Sequence, residues 1–168
     1  MITEPTQQVR SEQPYIGIRT RVQMRNLPVT APPLFLELLT WLEKQGITPC
    51  GAGFFRYLVM DRNEQMTLDV GFPVTHPIAG DGRIQAGTLP AGRYGSLIYT
   101  GTYASLAEVT DTLLDWGEKN GIQWQTSEDG MAWGARIEFY LNAESENNTP
   151  NSKTEVAILI AENNSDGH

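Results

Sequence analysis

Glu138 and Tyr140 stand two residues apart in the run Arg136-Ile137-Glu138-Phe139-Tyr140-Leu141. Side chains alternate along a strand, so Ile137, Phe139 and Leu141 point one way and Arg136, Glu138 and Tyr140 the other. A second strand-like run sets Leu68, Val70, Phe72 and Val74 against Asp69, Gly71 and Pro73. Each run therefore carries one carboxylate on its less apolar side. A carboxylate among aromatic rings has three uses. It can be the counter-ion of an organic cation: burial raises its pKa, and the arriving cation restores the charged form. Rings then add cation–π attraction of about 0.5–2 kcal/mol each. Tyr103, Trp133, Tyr140, Phe54 and Tyr57 are the candidate rings. It can instead be a general acid or base that activates water, with Glu138 and Tyr140 catalytic and Tyr140 or Tyr99 positioning the substrate. Or Glu138 can pair with Arg136 or Arg56 and do nothing further, as surface ion pairs commonly do.

Other chemistries lack their residues. The only histidines are His76, in a loop-like stretch, and His168, the last residue, so no His/Cys cluster could bind a metal. No cofactor motif is present. The single cysteine, Cys50, has no disulfide partner and no evident histidine, which leaves activated water as the one hydrolytic route and fits a reducing, cytoplasmic setting. A formal charge of −8 and a pI near 4.7 argue against a nucleic-acid surface and favour cationic partners. No apolar run approaches the roughly 18 residues of a membrane helix, and MITEPTQQVRSEQ lacks the order of a signal peptide. It reads as a flexible lead over residues 1–14.

The elements that position these residues come from an internal repeat. LLTWLEKQGI (Leu38 to Ile47) returns as LLDWGEKNGI (Leu113 to Ile122), identical at seven of ten positions. Each copy ends a helix. In the first, Leu34, Phe35, Leu38, Trp41, Leu42 and Gln45 form a stripe, with Thr30 the expected N-cap, Pro32 and Pro33 in the first turn and Gly46 the stop. In the second, Leu106, Val109, Leu113, Leu114 and Trp116 form the stripe, Ser105 and Glu108 suit a capping box, and Gly121 ends it. Trp41 and Trp116 read as core residues. Strands are expected at 15–24, 54–60, 66–74, 89–100, 136–141 and 154–160.

Each half thus reads strand, helix, strand, strand. The fold class is α+β: a duplicated unit with an antiparallel sheet, both helices on one face and a ligand groove between the halves. Repeat one spans 15–75, a linker 76–87, repeat two 88–161 and a tail 162–168, with a polar loop from Asn142 to Lys153. Aligning the two acidic strands sets Asp69 against Glu138 and Gly71 against Tyr140, both carboxylates on the face away from the helices.

Four motifs in order make the chain resemble the GyrI-like small-molecule-binding family, the effector-binding module of AraC-type and MerR-type multidrug-responsive activators. They are Leu89-Pro90-Ala91-Gly92-Arg93-Tyr94, Gly101-Thr102-Tyr103 with Leu106, Asp69-Val70-Gly71-Phe72-Pro73-Val74, and Arg136 to Leu141. The resemblance covers roughly Tyr15 to Ala161. It implies a groove in which an inward glutamate among rings binds lipophilic, often cationic compounds; carried over, these are Glu138 and Tyr140. Some stand-alone members resemble small-molecule hydrolases, which implies a hydrolase acting on reactive natural products as the alternative. Here Tyr99 stands where many relatives have His, and Asp69 where Glu is common. With the first strand expected near Tyr15, a helix-turn-helix has no room. A sensor would then signal through a partner protein or sequester its ligand. A scaffold with a degenerate groove is the third reading.

Overall fold

The structure is a computed structural model that describes residues 1–142 and 149–162. Much of the polar loop expected after Asn142, and the tail from Asn163, lie outside the described residues. Both halves lay the same run of elements along one sheet. β2 (Gln13–Gln23) passes through a 3-10 turn (Met24–Asn26) and the short α1 (Leu27–Thr30) into α2 (Pro32–Lys44), then β3 (Phe54–Met60) and β4 (Gln65–Pro73). β6 (Gly92–Thr100) passes through a 3-10 turn (Tyr103–Ser105) into α3 (Leu106–Lys119), then β7 (Arg136–Tyr140) and β8 (Lys153–Leu159). β1 (Thr6–Arg10) and β5 (Ile84–Leu89) complete the two edges. The sheet order is β1-β6-β8-β7-β3-β4-β2-β5, with every pair antiparallel. Exchanging the halves leaves that order unchanged, so a pseudo-two-fold axis passes between β3 and β7.

One rung of the sheet runs Ile18, Val70, Phe55, Glu138, Val156, Leu97. Both helices cover this face. Leu38 and Leu42 of α2 pack on Ile16 and Ile18, and Leu106, Val109 and Leu113 of α3 pack on Leu97, Val156 and Ile158. Trp41 and Trp116 flank these same clusters. The next rung, Arg19, Asp69, Arg56, Ile137, Ala157, Ser96, faces the other way. There the sheet curls around its own core of Tyr15, Phe54, Leu89, Tyr94, Ile137 and Ala157.

This curl overturns one expectation. Glu138 lies on the helix face, and Ile137 and Phe139 fill the concave interior instead. Both faces of the sheet are apolar, so alternation sorts the residues of β7 into two sets without saying which set meets the helices. Asp69 is not the counterpart of Glu138 either. By position, β7 answers to β3 and β4 to β8, so the acid matching Asp69 is Glu155, on the same concave face.

The ends of the chain and the caps differ as well. Residues 1–14 are not a loose lead: β1 pairs with β6 from Thr6 to Arg10, and the Thr3 amide donates to the Ile98 carbonyl at 2.9 Å. β1 is polar and mostly exposed, so it carries no apolar alternation to betray it. The 76–87 stretch likewise yields β5, from Ile84, against the outer edge of β2. Thr30 belongs to α1, and Ala31 precedes α2 without a side-chain cap. Ser105 has φ −96° and ψ 1° and makes no cap bond: the preceding 3-10 turn runs straight into α3, so Ser105 never adopts the extended backbone a capping box needs. The helix stops do form. Gly46 and Gly121 have φ of 70° and 71°. Ile47 donates to Leu42 (3.0 Å) and Ile122 to Gly117 (2.8 Å), each closing the six-to-one bond of a Schellman motif. The repeated phrase is therefore a helix end with its C-terminal turn.

Candidate functional site

β3 and β7 meet at the axis through three residue pairs: Phe54 with Phe139, Phe55 with Glu138, and Arg56 with Ile137. On the helix face this puts Phe55 and Tyr57 of β3 beside Glu138 and Tyr140 of β7. Tyr57 and Tyr140 both donate their hydroxyls to Glu138 Oε1, at 2.8 and 2.7 Å. Oε2 accepts no hydrogen bond among the described residues. Burial pushes the Glu138 carboxyl above its ordinary value, opposed by the two tyrosine hydrogen bonds and by the charge of Arg136. Burial, and then the charge of Glu138, hold both phenols well above their usual range, so they remain neutral donors.

Rings surround the carboxylate from both halves. Phe35 of α2 stacks on Phe55 at 5.3 Å with 5° between planes, and meets Tyr140 edge-on at 6.0 Å. Tyr140 also lies 5.1 Å from Phe55 and 5.3 Å from Tyr103, which sits in the turn that starts α3. Arg136, on the same face of β7, rests its guanidinium 4.7 Å from the Trp133 ring centre. Burial lowers its pKa, against the opposing pull of Tyr57, Glu138 and Asp111. It forms no ion pair within 4.0 Å of Glu138. The arrangement can hold a positive charge against Oε2 among rings, or activate a water there.

Of the residues singled out in the sequence, Glu138, Tyr140, Tyr57 and Tyr103 come together, with Trp133 at the side of Arg136. Three do not join them. Phe54 is fully buried on the concave face, edge-on to Tyr15 at 5.1 Å. Asp69 is on that face too, held by Arg19 (2.8 and 3.1 Å) and by the Tyr15 hydroxyl (2.5 Å). Tyr99 faces the helices but packs under α3, donating to the Thr102 carbonyl at 2.9 Å. Phe55 was missed, although it shares the parity of Tyr57 while Phe54 does not. Phe35 was visible only as one residue of a helix stripe.

The family model of the GyrI-like small molecule binding domain matches residues 3–161. No curated protein matches the sequence. Among solved structures, the C-terminal domain of EcmrR is similar, with a TM-score of 0.73, 16% identity and coverage of 95% of this chain and 98% of that one. EcmrR in its complex with DNA gives a TM-score of 0.74 at 19% identity, and the aligned region covers 95% of this chain and 58% of that chain. SAV2435, solved bound to tetraphenylphosphonium, gives 0.62 at 12% identity, covering 95% and 94%. A hydrolase from Listeria innocua gives 0.63 at 11% identity, covering 94% and 92%. At these identities the structural likeness speaks for the fold. The match over residues 3–161 speaks for more: the chain belongs to the GyrI-like small-molecule-binding domain family.

Proposed function

We propose that this domain binds a lipophilic organic cation at the seam between its halves, with Glu138 as the counter-ion. One observation carries the reading. A half-buried carboxylate is tethered through Oε1 by two neutral phenols, while Oε2 accepts no hydrogen bond among the described residues and aromatic rings from both halves stand around it. The two tyrosines fix the carboxylate's orientation before any ligand arrives, which lowers the ordering cost of binding. The rings attract a cation's charge and cover its apolar body. A micromolar complex corresponds to about −8 kcal/mol. The experiment is a calorimetric titration with tetraphenylphosphonium, the compound bound in SAV2435. Glu138→Gln keeps the shape and removes the charge. It should weaken binding by about 1.5–3 kcal/mol, the scale of a hydrogen bond to a charged group. Equal affinity in the two proteins contradicts the counter-ion role.

A hydrolytic reading uses the same atoms. The observation that favours it is the carboxyl of Glu138, pushed up by burial and held beside two phenols, a setting in which a carboxylate can serve as a general base. Strained or ester-bearing electrophiles, followed by mass spectrometry, separate the two readings. Turnover that disappears in Glu138→Gln supports catalysis. Tight binding without turnover supports a sensor or a sequestering protein.

A further inference from the structure

The acid that matches Asp69 in the second half has a different setting. Asp69 is sealed: it is 5% exposed and takes bonds from Arg19 and Tyr15. Glu155 instead lines an open cavity of about 530 Å³ on the concave face, a size suited to a small organic molecule. The cavity floor is apolar, made by Leu89, Tyr94, Ile137 and Phe139. Across it lies Arg10, the last residue of edge strand β1. Its Nη2 meets Glu155 Oε2 at 2.7 Å and its Nη1 meets Oε1 at 3.4 Å. Its guanidinium carbon is 5.4 Å from the Tyr94 ring centre and 6.0 Å from that of Phe139. A planar cation is thus already seen bound here, by a carboxylate, the Gln8 side-chain oxygen (3.1 Å) and two rings, and it is one of the protein's own side chains. Each attachment is one an aryl guanidinium could make, and the cavity beside it has room for the aryl body.

We propose that this concave pocket is a second ligand site, for an aryl guanidinium or similar flat lipophilic cation, with Glu155 as its anion and Arg10 as an internal occupant that the ligand displaces. It lies on the opposite face of the sheet from Glu138 and does not depend on how the Glu138 site is used. Displacing Arg10 asks little of the fold. Its side chain is one-quarter exposed, and its strand is an exposed edge paired on one side only.

Cys50 makes the test specific. It is the protein's single cysteine, it is exposed, and it lines this cavity. The rate at which iodoacetamide alkylates Cys50 in the full chain is followed by mass spectrometry, with rising naphthylguanidinium or its neutral analogue naphthylurea. The guanidinium should protect Cys50 and the urea should not. Glu155→Gln should raise the half-protecting concentration by about 10- to 100-fold, as loss of a charged hydrogen-bonded partner does. Arg10→Gln should lower it by about fivefold or more, because no internal cation then competes. A merely structural ion pair could not produce that tightening. Glu138→Gln should leave the protection where it was. The proposal is overturned if naphthylguanidinium protects neither wild type nor Arg10→Gln. It is also overturned if Glu155→Gln is protected as well as wild type, or if protection follows Glu138 instead.

Discussion

Glu138 is held between two opposing effects, and burial wins over the tyrosine hydrogen bonds and Arg136. Removing either donor, by Tyr57→Phe or Tyr140→Phe, should move its carboxyl further up, which a carbon-detected NMR titration reads directly; no movement would mean the hydroxyls are not its partners. The stability consequence follows from the sign. A carboxyl raised in the folded protein binds more protons there than in the unfolded chain. Its contribution is therefore present below the ordinary value of 4.5 and is lost as pH rises through the native value. Denaturant unfolding of wild type should show that decline over the window above 4.5, and Glu138→Gln should flatten it. The proposed cation binding should have the reverse dependence: it should strengthen as Glu138 ionises, and within that window it should release a proton to the buffer. At this scale the sequence was informative about Glu138, Tyr140, Tyr57 and Tyr103, because an acid between aromatic residues on strands is conspicuous. It was silent on Phe35, whose ring reaches the site only through the docking of α2, and Phe54 stood where parity alone would have chosen Phe55.

Among the elements, the two helix ends differ at one informative position. Leu42 in the first copy is Gly117 in the second, where the Trp124 ring fills the missing side chain's place; a Cβ there would come within 2.3 Å of that ring. Gly117→Ala should therefore cost about 1–3 kcal/mol, the scale of overpacking, and should perturb Trp124 fluorescence. Stability equal to wild type would show that the ring yields. The helix stripes, the left-handed stops and the inner strands were legible because apolar periodicity and Gly at the helix end are local signals. The caps were not: a 3-10 turn before α3, and α1 before α2, change the approach to each helix in ways that Ser105 and Thr30 do not announce. β1 escaped for another reason. A polar edge strand is fixed by its partner β6, and a partner distant in sequence leaves no periodicity in the strand itself.

Across the whole molecule, duplication places two half-sheets against one another through a short central pairing of β3 with β7, and the ring of Tyr140 packs against the clusters of both halves. The seam is where a ligand can touch both repeats at once, and the repeat was readable while the seam's facing was not, since a curled sheet with apolar residues on both sides hides which face meets the helices. The proposed ligand, a lipophilic cation, would sit at this seam against Glu138. An experimental structure of the protein with tetraphenylphosphonium, solved for wild type and for Glu138→Gln under the same conditions, tests that placement most directly. The cation is expected on the helix face, among Tyr57, Tyr103, Tyr140 and Phe55, with Glu138 Oε2 turned toward the phosphonium centre and the ligand absent or depleted in the variant. A cation bound away from Glu138, or bound unchanged when that carboxylate is gone, would contradict it.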